Sequence, residues 1–354
     1  MPKQTVAVLF GGASSEHEVS LVSAQSVIEN IPKETFELLL VGITKEGRWF
    51  LYGGPTEALP DGSWERDPGN LPACIVPDSS VHGLAVTQRD GSVRTRRVDI
   101  CFPVLHGANG EDGTVQGLLQ LAGIPFVGCG CASSALCMDK MFQKCVAASA
   151  GIPQAKWEYA LVAEYRKNPE AVLSRAERLG YPIFVKPANA GSSVGISKAH
   201  SRAELTRAVE AAAKHDPKIL FEEAVEGREV ECAVLGNSEP AASCPGEILP
   251  CNEFYDYDAK YLAGKTGLRI PAQLPADVTE RVRETAVKAY VLFGCRGMAR
   301  MDFFVRKSDG AVLLNEPNTI PGFTSISMYP KLFAASGVPY GELLGRLLRL
   351  ALEP

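Results

Sequence analysis

CRGMARMDFFVRKSDGAVLLNEPNTIPGFTS, residues 295–325, is the stretch on which the fold turns. Two strand-like segments, about 298–306 and 311–317, flank Ser308-Asp309-Gly310, a hairpin signal. Asp302 lies on the first segment. Glu316 and Asn318 lie two apart on the second, so both point to one face. Three oxygen ligands converging there suit a Mg²⁺ ion carrying nucleotide phosphates. Uncompensated acids on an otherwise apolar hairpin are costly, which weakens the alternative of solvated surface residues. Opposed residues of an antiparallel pair point the same way. If Asp302 shares a face with Glu316, the loop has odd length, Lys307 faces Ala311, and Gly310 is left-handed. A two-residue Asp309-Gly310 loop would turn Asp302 away. Pro317 removes a ladder N–H and predicts a strand edge or a bulge.

Upstream, FVKPANAGSSVGIS (184–197) reads as a strand delivering Lys186 into a Gly/Ser segment. Backbone N–H groups around Ser192 and Ser193 can cradle phosphate oxygens, and Lys186 adds a point charge. No G-K-[ST] follows the glycines, so it is not a Walker A loop. Alone, the segment is equally a plain turn. ILFEEAVEGREVE (219–231) puts Glu222, Glu223, Val225 and Glu229 at a strand end, where backbone groups can bind an adenine and an acid a ribose. Surface glutamates are common, and this signal alone is weak.

Near the N-terminus, TVAVLF (5–10) is a strand and no signal peptide. GGASSEHEVS (11–20) follows, where Ser15-x-x-Glu18 reads as a capping box for a helix from about Glu18 to Ile31. Capping accounts for both residues. The functional alternative puts Glu18 near a ligand ammonium. LHGANGEDG (105–113) packs His106, Asn109, Glu111 and Asp112 among glycines, and a working loop and a solvated turn are evenly matched there. Strands alternate with helices up to VDICFPVLHG (98–107), predicting an open, mostly parallel sheet with ligands beyond its C-terminal strand ends. A helix is expected from about Ser133 to Ala150, another near 201–214, and a terminal one at about 341–352.

The chain has 354 residues, 46% hydrophobic and 22% charged, with net charge −5. That length calls for two or three domains. The composition argues for an ordinary globular enzyme and against a nucleic-acid partner. No apolar run is long enough to span a membrane. The ten cysteines are scattered, without metal spacing, as buried reduced thiols of a cytoplasmic protein would be.

FGGASSEHEVS, FPVLHGANGEDGTVQG, SSALCMDK, FVKPANAGSSVG, EFYDYDAKY, GMARMDFF and LNEPNTIPGFTSISMYPKL, in this order, resemble the D-alanine:D-alanine ligases over nearly the whole chain. The resemblance implies an ATP-grasp fold of α/β class with α+β character in its C-terminal part. Three domains are expected, at 1–132, 133–225 and 226–354, the first built on an open parallel sheet. It implies ligation of two D-alanines through an acyl phosphate for peptidoglycan precursor synthesis, with ATP and two Mg²⁺ (or Mn²⁺), by a cytoplasmic homodimer. Carried over by position, Lys140 and Lys186 contact ATP phosphates, with Ser193 beside them. Glu222, Glu223, Val225 and Glu229 hold the adenosine. Asp302, Glu316 and Asn318 hold metal. Glu18 holds the first ammonium, with His106 and Glu111 in the same substrate site. Arg300 and the Gly322 N–H stabilise the tetrahedral intermediate. Ser192 and Tyr261 link with Glu18 to close a lid at 252–270, and Lys260 reaches phosphate from it. Ser327 and Met328 line the second amino-acid subsite. A related ligase taking D-serine second is the nearest rival. A regulatory nucleotide-binding module is opposed by the intact Asp302, Glu316, Asn318 and Arg300. A dinucleotide oxidoreductase is opposed by the missing G-x-G-x-x-G.

Overall fold

The computed structural model describes residues 3–191, 194–249 and 267–353. Three sheets organise them. The first has seven strands in the order β6-β5-β4-β3-β2-β1-β7. These are β1 (Gln4–Gly11), β2 (Phe36–Ile43), β3 (Trp49–Tyr52), β4 (Leu71–Ile75), β5 (Gly83–Thr87), β6 (Val93–Arg97) and β7 (Ile100–Pro103). Pairing is parallel where alternation with helices demands it, at β2–β1–β7. The short strands β3 to β6 continue as an antiparallel arm. Tight turns such as Asp90-Gly91, with Gly91 at φ +81°, need no crossover helix. Residues 53–70 carry two short 3₁₀ turns, Thr56–Ala58 and Ser63–Arg66, and seat Trp64 against Phe10 and Tyr52.

Helix α1 (His17–Asn30) buries Val19, Ala24, Val27 and Ile28, one stripe of the helix. It starts without the expected capping box: Glu16 occupies the N-cap position, and no side chain caps the end. Helix α2 (Thr114–Leu121) follows the His106 loop. The single helix expected from Ser133 is two, α3 (Cys131–Met138) and α4 (Lys140–Ser149). Asp139 sits between them in extended conformation and accepts hydrogen bonds from the Met141 and Phe142 N–H groups. That N-cap restarts the chain in a new direction.

The second sheet has the order β10-β9-β11-β8, with β8 (Trp157–Leu161), β9 (Ile183–Pro187), β10 (Ser197–Ala199) and β11 (Lys218–Glu223). Helices α5 (Val162–Lys167), α6 (Pro169–Ala176) and α7 (Arg202–Ala212) accompany it, α7 capped by Ser201. The third sheet runs β15-β14-β12-β16-β17, with β13 beside β12. Its strands are β12 (Gly227–Leu235), β13 (Ala241–Ala242), β14 (Gly246–Leu249), β15 (Gly267–Arg269), β16 (Met298–Arg306) and β17 (Val312–Asn318). Helices α8 (Ala276–Leu292), α9 (Met328–Ala335) and α10 (Tyr340–Leu350) complete it.

The cores follow another division. One apolar cluster joins Val6, Val8 and Phe10 of the first sheet to Leu235 of the third and to Tyr329 of α9 and Leu347 of α10. The second sheet has its own, from Ala160 to Phe221. Cys137 and Ala147 of α3 and α4 pack with Tyr290 of α8 and Met301 of β16.

Candidate active site

The β16–β17 hairpin puts Asp302 opposite Glu316 and Arg300 opposite Asn318, as the site requires. The route differs from the odd-length loop. The Arg306 N–H donates to Ala311 O and the Gly310 N–H to Arg306 O, closing a four-residue loop, Lys307–Gly310. Phe303 then faces Leu314 while Asp302 faces Glu316, so Asn315 is an extra residue in a bulge. The bulge turns Glu316 to the face of Asp302. Gly310 is left-handed, φ +68°, as expected. β17 is an edge strand of its sheet, which tolerates Pro317.

The acids face protein cations. Arg300 Nε and Nη2 each donate to Asp302 at 2.7 Å, and Asn318 Nδ2 donates to the same carboxylate at 2.9 Å. Arg300 Nε also lies 3.0 Å from Glu231. Lys140 Nζ lies 3.6 Å from Glu316 and donates to Ala190 O at 2.8 Å. Two carboxylates and an amide oxygen on adjacent strand positions form a hard-oxygen donor set that fits Mg²⁺ or Mn²⁺.

Beside them a cleft of about 420 Å³ opens between the second and third sheets. Phe184, Ile196 and Val225 supply apolar wall; Lys186, Glu222 and Glu229 supply polar groups. At its closed end Glu222 is ion-paired to both Lys186 and Lys144. Burial drives the Glu222 carboxyl upward, yet the two ammonium groups override it and bring it to about 2. Burial alone depresses Lys186, and Glu222 and Glu316 more than offset that. Lys144 goes down because its burial outweighs Glu222. Glu223 is turned to Lys156, whose N–H it accepts at 2.8 Å.

The end of the site around His106 differs from the sequence reading. Glu18 is exposed and paired with Lys45, and does not face the His106 loop. Glu16, one residue before the helix, is 6% exposed and does. Gly107 and Gly191 approach it so closely that a Cβ on either would fall within 2.6 Å of Oε2. His106, buried and thereby depressed, donates from Nδ1 to Ile320 O and accepts at Nε2 from the Ser23 hydroxyl, both at 3.2 Å. Glu111 accepts from the Gly107 N–H at 2.8 Å. Burial first, and the Glu16 charge second, push its carboxyl up to about 8. Gly322 abuts the Ser327 hydroxyl, which lies 2.8 Å from that of Thr324. Met328 is 5% exposed and packs among core residues with Tyr329 and Leu332. Ser192, Ser193, Lys260, Tyr261 and residues 252–266 of the lid expected at 252–270 lie outside the described residues, and Gly267–Arg269 of that segment is strand β15.

Glu16, Lys144 and Glu231 were not singled out from sequence. Lys144 was findable: it follows Lys140 by four residues, one helical turn. Glu231 follows Glu229 by two on one strand, hence on one face.

Residues 5–129 match the family described as D-ala D-ala ligase N-terminus, and 146–349 the D-ala D-ala ligase C-terminus. The chain is 52% identical to a D-alanine–D-alanine ligase of Caldicellulosiruptor bescii, covering 100% of this chain and 96% of the relative. It is 51% identical to one of Thermoanaerobacter sp., covering 100% and 98%. Among solved structures, the VanG D-Ala:D-Ser ligase of Enterococcus faecalis superposes with TM-score 0.90 at 41% identity, covering 99% of this chain and 100% of that one. The D-alanine-D-alanine ligase of Coxiella burnetii gives 0.87 at 36%, covering 99% and 94%.

Proposed function

The chain belongs to the D-alanine–D-alanine ligase family, and from that premise we propose that it joins two D-alanines using ATP, for peptidoglycan precursor synthesis. One observation carries the reading: Asp302, Glu316, Asn318 and Arg300 meet on one face between the nucleotide-sized cleft and the cluster of buried Glu16 and His106 with half-buried Glu111.

The first D-alanine binds with its ammonium toward Glu16. Its carboxylate attacks the γ-phosphorus of ATP; the bond to ADP breaks and D-alanyl phosphate forms. Lys140 and Lys186 neutralise the crowded phosphate oxygens, Lys186 turning from Glu222, which keeps Lys144. Asp302, Glu316 and Asn318 would hold Mg²⁺ or Mn²⁺, which supplies charge neutralisation when bound. The second D-alanine's neutral amine attacks the acyl carbon. Arg300 and the Gly322 N–H face the developing oxyanion, and phosphate leaves. Ser327 contributes to the second subsite. Glu222, Glu229 and the backbone at Glu223–Val225 receive the adenosine. Two such chains assemble as a homodimer in the cytoplasm; among the described residues no helix is long and apolar enough to cross a membrane.

The likeness to a D-Ala:D-Ser ligase favours one second reading, D-serine as the second substrate. In general a hydrophobic pocket rejects an added hydroxyl only by about a hundredfold. Purified protein is given ATP, Mg²⁺, D-alanine and equal D-serine or D-lactate, and products are weighed by mass. D-alanyl-D-alanine should dominate, with D-alanyl-D-serine minor and the ester negligible. A dominant D-alanyl-D-serine product would move the assignment to the second reading. No product at all would overturn both.

A further inference from the structure

Three carboxylates stand side by side across adjacent strands of the third sheet. Glu231 on β12 is opposite Asp302 on β16, and Asp302 is opposite Glu316 on β17. Like charges directly opposed destabilise a sheet, so such a row needs cations along it. Lys140 serves Glu316. Arg300 serves the other two, with Nε between Asp302 at 2.7 Å and Glu231 at 3.0 Å. Glu231 is 5% exposed and belongs to none of the roles above.

A cation held by Asp302 would take the oxygens that Arg300 now holds. Arginine cannot shed its proton to relieve the conflict. The guanidinium must lean on another carboxylate, and the one already beside its Nε is Glu231. We propose that Glu231 is a positioning residue, anchoring Arg300 by Nε when Asp302 turns to the metal, so that the outer N–H groups stay aimed at the reacting carbonyl. This rests on the ligase reading.

The test is a double-mutant cycle of Glu231→Gln and Arg300→Gln, read by dipeptide synthesis and by Mn²⁺ binding in the presence of ADP, followed by electron paramagnetic resonance. Glu231→Gln should lower kcat and Mn²⁺ affinity each by about 10- to 100-fold. At Mg²⁺ high enough to saturate the weakened site, KM for ATP should stay within about twofold, since the residues that receive the nucleotide itself are unchanged. Glu231→Asp, which keeps the charge, should recover part of both losses. In the Arg300→Gln background, Glu231→Gln should cost no more than about twofold, because its partner is already gone. An unchanged kcat, or the same loss in both backgrounds, overturns the proposal. If Glu231→Gln lacks a cooperative melting transition, Glu231→Asp replaces it in the cycle under the same criteria. Wild-type protein making no dipeptide would defeat the ligase reading; the Mn²⁺ arm would still decide the role of Glu231.

Discussion

Glu16 and Glu18 show how far two residues of the same type can diverge. Both stand in Ser-Glu-His-Glu, and the capping-box spacing drew the reading to Glu18. Helix phase decides otherwise: Glu18 falls on the solvent side of the first turn, where Lys45 meets it, while Glu16 ends the loop that folds under Gly107 and Gly191. Glu16→Gln should lower kcat/KM for D-alanine by at least about thirtyfold, the lower end for losing one partner of a buried charge pair. Glu18→Gln should change it by less than about twofold, as exposed pairs contribute little. Steady-state kinetics at varied D-alanine decides; equal effects would contradict the assignment. Glu111 adds a pH signature. Its folded-state carboxyl, at about 8, lies above the ordinary 4.5, so its contribution to stability is complete below about 4.5 and is lost as pH rises through 8. Across that window the wild type should lose melting temperature relative to Glu111→Gln, and parallel curves would contradict it. Lys144 lies deeper still. Lys144→Met leaves Glu222 with Lys186 alone and should cost about 2 kcal/mol in denaturant unfolding, less than the ~3–5 of a fully orphaned buried charge. A loss below about 0.5 kcal/mol would show that Lys186 suffices.

At the scale of elements, local chemistry was legible and counting was not. Alternation located β16 and β17, and Asp309-Gly310 located the turn between them. Nothing in LLNEPN says that Asn315 is extra; a bulge follows from how four loop residues and the demand for Glu316 on the open face are reconciled across two strands. Asp139 is the reverse case. Its capping chemistry was in the sequence, but the apolar pattern on both sides disguised the break. The arm β3–β6 escaped because its strands are short, and β6, Val-Arg-Thr-Arg-Arg, is exposed throughout and shows no period. Gly310 tests the loop as drawn. A Cβ there would meet nothing nearer than 3.9 Å, so only backbone strain opposes a side chain. Gly310→Ala should therefore cost about 1–2 kcal/mol, and Gly310→Asn less, since asparagine tolerates the left-handed region. Urea midpoints measure both; a neutral Gly310→Ala would mean the loop has another shape.

The molecule as a whole is divided unequally, and this bears on how the site assembles. The first and third sheets share one apolar core, whereas the second keeps its own. What ties the second sheet to α4 is polar: the Lys140 N–H to Ala188 O at 3.0 Å, Asn189 Nδ2 to Asp139 at 3.3 Å, and the ion pair of Lys144 with Glu222. Polar ties contribute far less per contact than a shared core, because water competes for them. The second sheet should therefore open as a separate unit, below the free energy of global unfolding. Amides of β8, β9 and β11 should exchange faster with solvent deuterium than those of β1, β12 and β16. The cleft proposed for the nucleotide lies across this weak seam, with Lys186 and Glu222 on one side and Asp302 and Glu316 on the other. A ligand bound there at a hundredfold excess over its Kd adds about 2.7 kcal/mol against any opening that destroys the site. ADP with Mg²⁺ should thus slow exchange in β9 and β11 by about a hundredfold, while β1, already limited by global unfolding and far from the cleft, gains no more than that same increment. The seam is read in the ligand-free protein, where the three sheets should differ. Equal protection there would mean that polar contacts bind the second sheet as firmly as a core, and that the cleft is preformed, not closed around its nucleotide.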